Sequence, residues 1–461
     1  MSESHKGLNS KTRNVTDTHS ALVSAAKDKD ASPTNTASEE EASLNWIGRI
    51  NLIVSMTSRF FFSLITGSWI WVYMSGRLLL FVFFLIPGWM VMLHYYLSHP
   101  HRDICYYIER APSSSNNTRC SSRHYLDIYL PNRRKKGEKY PVVIFLTGGA
   151  WIIGYKMWGA LMGRALCPHG MIMVIPDYRN YPGANIEEML ADVDMAIQYV
   201  KANISCKWGG DPNNIVLVGQ SAGAHLATMV CLRKAVAASI ADHERRTGKS
   251  PHLTEETPLL RSWWKPTDLR GFIPISCPFN LLLLYTHFKK RGLDYRILDW
   301  IFQSNLEKYS PSIILDQLRL RLTPPTENHN VTVELHNEHQ KYYFPPTTII
   351  HGANDATVPC QVSHDFHRAL RLIFTLKQDR QQSSFFVPEV DLIVYESMTH
   401  TDPILEKPFA GDQQLHKDIY KACQKWCEGL DEDFDETIPS CQRVTALPQL
   451  FIDVARSCNP F

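Results

Sequence analysis

Ile215-Val-Leu-Val-Gly-Gln-Ser-Ala-Gly-Ala-His-Leu-Ala-Thr-Met-Val-Cys-Leu232 is a β-branched run that breaks at Gly219-Gln-Ser-Ala-Gly223 and resumes as a helix former. Gly-x-Ser-x-Gly between a buried strand and a helix is a nucleophile elbow, a turn so tight that only small residues fit two before and two after the serine. Such a turn holds Ser221 in strained backbone geometry and points its hydroxyl away from the sheet. It also places the amide of Ala222 at a helix N-terminus, where it can donate to a developing oxyanion.

Acyl transfer at Ser221 needs further groups, and the sequence offers them in a definite order. Upstream, Val142-Val-Ile-Phe-Leu146 runs into Thr147-Gly148-Gly149-Ala150-Trp151, where glycines let backbone amides approach a substrate carbonyl as a second oxyanion donor. Downstream, Asp355 follows Thr347-Thr-Ile-Ile350 in His351-Gly-Ala-Asn-Asp355, and His400 follows Val390-Asp-Leu-Ile-Val-Tyr395 in Glu396-Ser-Met-Thr-His400. The order Ser, Asp, His at successive strand ends is that of a Ser-His-Asp triad. Ser221 would attack, His400 would take and return the proton, and Asp355 would steady the imidazolium. His351 and Asp402 are read as supporting or capping residues.

The same runs set the fold class. Residues 142–146, 171–176, 215–218, 271–275, 347–350 and 390–395 are short, apolar and β-branched, and they alternate with helical stretches such as Asn185 to Ile204 and Val362 to Thr375. That alternation predicts an α/β fold with a mostly parallel sheet covered on both faces, over residues 111–461. Insertions are expected near 233–270 and 322–342, as surface loops or cap elements.

Residues 1–45 are Ser-, Thr-, Lys- and Glu-rich and form a polar tail without a secretory signal pattern. Residues 46–110 are different. Phe60 to Gly76 and Leu78 to Ser98 carry no charge and are separated by Arg77, and the second is long enough for a bilayer core of roughly 30 Å. A transmembrane hairpin over about 52–76 and 78–98 is expected, with Trp69, Trp71, Tyr73, Trp89, Tyr95 and Tyr96 as interfacial belts. Arg49, Arg59, Arg102 and Arg110 flank both outer ends, which favours a cytosol-facing catalytic domain.

At 461 residues, 44% hydrophobic and 20% charged, the chain can bury a real core, which excludes wholesale disorder. A net charge of +2 offers no electrostatic footprint for nucleic acid. The 11 scattered cysteines read mostly as buried apolar fillers in a reducing compartment. His336-Asn-Glu-His339 looks like an exposed loop rather than a metal helix, and neither a metal nor a cofactor is assigned. Four Asn-x-Ser/Thr sequons start at Asn14, Asn116, Asn203 and Asn330, and Cys458-Asn-Pro-Phe461 has only the outline of a prenylation box.

Thr147-Gly-Gly-Ala-Trp-Ile-Ile-Gly-Tyr-Lys156, Asp177-Tyr-Arg-Asn-Tyr-Pro182, Gly209-Gly-Asp-Pro-Asn-Asn-Ile215, Gly219-Gln-Ser-Ala-Gly-Ala-His225 and Glu396-Ser-Met-Thr-His-Thr-Asp402 resemble the plant isoprenylcysteine α-carbonyl methylesterases, α/β-hydrolases. The likeness extends from about residue 50 to the Pro-Phe ending. It implies a serine esterase of endoplasmic reticulum and Golgi membranes that hydrolyses the methyl ester of a farnesylated or geranylgeranylated cysteine without a cofactor. Ser221, Asp355 and His400 then match the triad, and Gly148, Gly149, Ala150, Gln220 and Ala222 match the strips lining the ester site. Ser276-Cys-Pro-Phe-Asn280 departs from the glycine-containing turn the family pattern leads one to expect. A prenyl chain partitions into lipid at roughly 0.8 kcal/mol per methylene, so membrane lipid would concentrate the substrate beside the enzyme. Trp151, Trp158, Tyr178 and Tyr181 form either an apolar wall for that chain or ordinary core packing. Another carboxylesterase, lipase or arylformamidase-like hydrolase, or a non-catalytic receptor of the same fold, are the competing functions.

Overall fold

The computed structural model describes residues 58, 69–99, 101–107, 109–110, 118–119, 123–131, 134–135, 137–246, 262–292, 294–322, 344–375, 389–430, 434–435 and 448–459. The polar tail, residues 52–57 and 59–68 of the expected hairpin, the His336–His339 motif, the 322–342 insertion beyond Leu322 and three of the four sequons lie outside them. Asn203, the fourth, sits within a helix and donates its amide to the Tyr199 carbonyl at 2.9 Å.

Eight strands form the main sheet, in the order β1 (Ile104–Cys105), β4 (Tyr125–Tyr129), β6 (Ile172–Pro176), β5 (Tyr140–Leu146), β7 (Gly210–Gln220), β8 (Gly271–Ile275), β9 (Thr347–Gly352), β10 (Val390–Tyr395). β2 (Glu109–Arg110) and β3 (Thr118–Arg119) pair separately. From β6 to β10 every pairing is parallel, and β1 and β4 add an antiparallel edge. All residues of β5, β6, β8 and β9 are buried, which is why these strands read as continuous apolar runs rather than alternating ones.

Alternate residues of each strand serve opposite faces. Val142, Ile144 and Leu146 join a core with α4 (Ile186–Trp208), α5 (Ala222–Arg246), α8 (Pro311–Leu322) and α9 (Gln361–Thr375). Val143 and Phe145 join a second core with α3 (Ala160–Leu166), α10 (Glu406–Ala410) and α11 (Gln414–Trp426). α4 starts where Asn185 and Glu188 exchange side-chain to backbone hydrogen bonds in a capping box, at 3.0 and 2.9 Å. It stops at Gly209, whose φ of 77° suits glycine.

Two segment boundaries differ from expectation. α5 runs on to Arg246, so the first part of the expected 233–270 insertion is helix. Between β8 and β9 the chain forms α6 (Leu281–Lys290), α7 (Arg296–Phe302) and α8, three helices for which the sequence reading made no provision.

The apolar N-terminal region also departs from the hairpin. α1 (Trp69–Phe84) passes through Gly76-Arg77 without interruption, and the break comes at Leu85, before α2 (Ile86–Ser98). One charge does not break a helix, whereas Pro87 cannot supply the backbone donor that would continue it. No single described helix is long and apolar enough to cross a membrane; Val72–Phe84 and Ile86–Ser98 pass that test only together, bent by 66°. Nor are the expected belt aromatics all outward. Tyr96 is buried, Tyr95 stacks on Tyr129 with ring centroids 5.8 Å apart, and Trp89 packs edge-on against Trp158 and Phe409. Leu79, Phe83 and Met90 are exposed, as are Leu450 and Phe451 of α12 (Gln449–Cys458), whose Phe451 ring meets Phe84 of α1 with centroids 5.8 Å apart.

Cys167, Cys231, Cys277, Cys423 and Cys427 are free and buried, as apolar fillers are. Cys105, by contrast, is disulfide-bonded, which does not fit a uniformly reducing compartment. Disulfide formation depends on tertiary proximity, and the spacing of cysteines along the chain does not reveal it.

Candidate active site

The parallel register lines up the strand ends that carry the expected residues. Leu146 pairs with Gly219, Gln220 with Ile275, and Gly352 with Tyr395, so the turns after β5, β7, β9 and β10 open on one edge of the sheet. Ser221 sits there with φ 52°, its amide donating to the Ile275 carbonyl at 2.8 Å and its carbonyl accepting from His225 at 2.9 Å. The elbow glycines are sterically required. A Cβ on Gly219 would lie 2.7 Å from Ala224 Cα, and one on Gly223 would lie 2.3 Å from the Leu146 carbonyl oxygen.

Ser221, His400 and Asp355 come together from three different strand ends. Ser221 Oγ lies 2.9 Å from His400 Nε2, and His400 Nδ1 lies 2.7 Å from Asp355 Oδ2. With the proton on Nδ1, His400 donates to the carboxylate and accepts from the serine hydroxyl. All three are buried. Asp355 Oδ1 accepts from the amides of Thr357 and Val358 at 2.9 and 2.8 Å. Burial alone would raise its carboxyl, but the charge and hydrogen bond of His400 and the bond from His351 prevail and hold it well below the usual carboxylate range. His351 has a defined part in this. Its Nε2 stands 3.2 Å from Asp355 Oδ2 and 2.9 Å from the Val358 carbonyl, while Nδ1 meets Ser363 Oγ at 2.7 Å. Asp402 caps the His400 loop, accepting from the Thr399 amide at 3.0 Å.

The Gly148-Gly149-Ala150 turn lies over the elbow. A Cβ on Gly148 would meet Gln220 Oε1 at 2.1 Å and Ser221 Cβ at 3.0 Å. Gly149 has φ 131° and its Cβ would meet Gly154 N at 2.3 Å, so glycine is needed on both counts. Ala150 and Trp151 also take positive φ, 50° and 61°. Among the described residues no acceptor takes the amides of Gly149, Ala150 or Ala222.

Sequence reasoning missed what steadies that turn. The Gly154 carbonyl accepts from Arg123 and, at 2.8 Å, from Asn180 Nδ2, and Tyr178 Oη donates to the Thr147 carbonyl at 2.9 Å. Arg123 also pairs with Asp177 at 3.2 Å, and Asp177 accepts from the Lys156 amide at 2.9 Å. The Lys156 ammonium, buried between Asp127 and Asp103, stays protonated because those two carboxylates outweigh the cost of its burial. Asp177-Tyr-Arg-Asn180 is a visible signal, yet its partners lie too far along the chain to be named from sequence.

The aromatic wall is not assembled. Trp151 packs edge-on against His225 and Phe302 and belongs with Tyr178 and Tyr181 to one core, whereas Trp158 belongs to the core on the opposite face of the sheet. These rings fill space between layers, as aromatics at sheet edges usually do. In the Ser276–Asn280 turn, Ser276 takes φ 48° and Asn280 caps α6 by accepting from Leu283 at 3.1 Å. No group of three potential metal ligands occurs among the described residues.

The chain is similar to several known proteins. The BD-FAE family model matches residues 126–273, from β4 through the elbow to β8. The isoprenylcysteine α-carbonyl methylesterase ICME of Arabidopsis thaliana is 33% identical over 74% of this chain and 67% of its own. The probable isoprenylcysteine α-carbonyl methylesterase ICMEL1 of Oryza sativa subsp. japonica is 33% identical over 85% of this chain and 78% of its own. Among solved structures, the native Est2 esterase of Thermogutta terrifontis is 20% identical, covering 60% of this chain and 78% of that one with a TM-score of 0.38. With 33% identity to these relatives over 74–85% of its length, and a serine elbow at the edge of a mostly parallel sheet, the chain belongs to the isoprenylcysteine α-carbonyl methylesterase family of α/β-hydrolases and is a carboxylic-ester hydrolase.

Proposed function

We propose that the chain hydrolyses the methyl ester of a prenylated C-terminal cysteine at a membrane surface, with Ser221, His400 and Asp355 as its triad. The observation that carries this is the continuous hydrogen-bonded path from Ser221 Oγ through His400 to Asp355, under amides for which no described residue supplies an acceptor. In the first half-reaction Ser221 Oγ bonds to the ester carbon as its proton passes to His400 Nε2, and the carbonyl oxygen becomes an oxyanion facing the amides of Gly149, Ala150 and Ala222. Collapse breaks the bond to methoxide, which leaves as methanol with the proton from His400. Water then attacks the acyl-enzyme with His400 as base, releasing the free carboxylate and restoring Ser221. Asp355, held as the carboxylate by its surroundings, favours the imidazolium in both halves.

The substrate class is supported by the names of the two relatives above. A lipid partner is supported by the outward apolar side chains of α1, α2 and α12, with Leu79 61%, Phe83 61% and Leu450 71% exposed. Endoplasmic reticulum or Golgi membrane is the proposed location. The cytosol-facing orientation stands against the disulfide at Cys105. Alkylation of Cys105 in intact microsomes distinguishes the two sides: reaction without reductant places the domain in the cytosol, and protection until reduction places it in the lumen.

The function is tested by turnover of S-farnesylcysteine methyl ester, a short p-nitrophenyl ester and N-formylkynurenine, each with wild type and Ser221→Ala. We expect the farnesylated ester to have the highest kcat/KM and Ser221→Ala to abolish its hydrolysis. Preference for the nitrophenyl ester would indicate a general carboxylesterase, preference for formylkynurenine an arylformamidase, and failure of a fluorophosphonate to label Ser221 a non-catalytic receptor.

A further inference from the structure

The loop that carries His400 is short and irregular, and its flanking residues are gripped by a segment that takes no part in the chemistry described above. Asp402, 1% exposed, accepts from the Thr399 amide through Oδ2 and from Arg456 Nε of α12 through Oδ1, at 3.0 and 2.6 Å. Asn459, at the end of α12, donates from Nδ2 to Thr401 Oγ1 at 2.6 Å and to Glu406 Oε1 at 2.9 Å, and the Thr401 hydroxyl donates to the same Glu406 oxygen at 2.8 Å. Residues on both sides of His400 are therefore tied, directly or through one carboxylate, to α12.

α12 is itself anchored. Ile452 and Ala455 are buried against the body of the protein, and the guanidinium of Arg77 in α1 donates to the carbonyls of Ser457 and Asn459 at 2.8 and 3.1 Å. Arg77 thereby satisfies carbonyls that a helix C-terminus leaves without partners and places a positive charge at the negative end of its dipole. A catalytic histidine must meet both its nucleophile and its carboxylate within a few tenths of an ångström, and a displacement of about 1 Å can cost about 100-fold in rate.

We propose that α12 is a strap that positions His400, with Arg456 and Asn459 as its positioning residues. This rests on the assignment of Ser221 and His400 as the reacting pair. In the whole 461-residue chain, Arg456→Met keeps most of the apolar stem and removes the ion pair, Arg456→Lys keeps the charge, and Asn459→Ala removes the contacts to Thr401 and Glu406. Kinetics on a short p-nitrophenyl ester, normalised to the number of sites a fluorophosphonate labels at completion, should show Arg456→Met lowering kcat about 10- to 100-fold with KM within about twofold. Arg456→Lys should restore most of that loss, and Asn459→Ala should cost about 5- to 10-fold. The rate of fluorophosphonate labelling should fall in step with kcat, because it also needs His400 to accept the Ser221 proton. Wild-type kcat per labelled site in both Arg456→Met and Asn459→Ala would overturn the proposal, as would Arg456→Lys no more active than Arg456→Met. If Arg456→Met fails to fold, Asp402→Asn decides in its place, since it weakens the same ion pair and keeps an oxygen for Thr399. Activity surviving in Ser221→Ala would instead remove the triad assignment itself, a result none of the strap variants can mimic.

Discussion

Ser221 and His400 meet at 2.9 Å, yet the two sides of that contact are built by opposite means. The serine side is fixed by what its neighbours lack. Gly219, Gly223 and Gly148 let three backbone segments close to distances at which a single methyl group would collide. The histidine side is fixed by polar side chains arriving from elsewhere: Asp355 with its four donors, Asp402, and beyond them Arg456 and Asn459. Steric exclusion is insensitive to pH. Polar anchoring is long-range and depends on charge.

The largest expected effect asks whether the two sides work as one unit. Ser221→Ala and His400→Ala should each lower kcat by roughly 10⁴- to 10⁶-fold, and the double variant should be no worse than either single. Losses that multiplied in the double variant would mean the two residues act independently. Next, Gly223→Ala should destabilise the fold by about 2–3 kcal/mol in urea unfolding, because its Cβ meets the Leu146 and Thr147 carbonyl oxygens at 2.3 and 2.6 Å. Gly352→Ala should cost a similar amount, since its Cβ would lie 2.2 Å from the Met398 carbonyl oxygen. If only Gly223 proved intolerant, steric exclusion would be confined to the serine side.

The third prediction concerns charge on the histidine side. Burial, aided by Asp402, pushes the Glu406 carboxyl from 4.5 up to about 7. A raised carboxyl keeps its proton in the folded state while the unfolded chain ionises, so its stabilisation is complete below pH 4.5 and is lost as pH rises to about 7. Glu406→Gln should flatten that decline by on the order of 2 kcal/mol in denaturant midpoints across the window. Part of the slope should remain, because burial also pushes Asp177 up to about 7. A slope unchanged by Glu406→Gln would show that the site is solvated. Smallest of all, Leu79→Ser and Phe83→Ser should change stability by no more than about 0.5 kcal/mol and leave p-nitrophenyl ester hydrolysis intact, while weakening sedimentation with phospholipid vesicles.

This contrast also explains which parts of the molecule could be read in advance. The elbow, the Gly148-Gly149 turn and the parallel strands were legible because each is a local compromise between a run of β-branched residues and a glycine that cannot be replaced. Asp355 and His400 were legible through their order along the chain and their position after strands. The grip of Arg123 on Gly154 and of Arg456 on Asp402 was not, since neither pair leaves a spacing that differs from chance. Arg77 misled for a related reason. A charge within an apolar run looked like the tip of a hairpin, whereas it lies within α1 and meets the carbonyls of Ser457 and Asn459. The charged stretch from Arg233, expected as a surface loop or cap element, begins as a continuation of α5 to Arg246.

Arg77 and Ser457 are separated by 380 residues. At ribosomal rates of 5–20 residues per second, roughly 20–80 s pass between the synthesis of α1 and the arrival of its partner helix. Throughout that interval α1 lacks the helix that later packs on it, so a chaperone or a lipid surface has to shield its apolar side chains, and under the strap proposal the hydrolase reaches its full rate only after the last turn of α12 has docked.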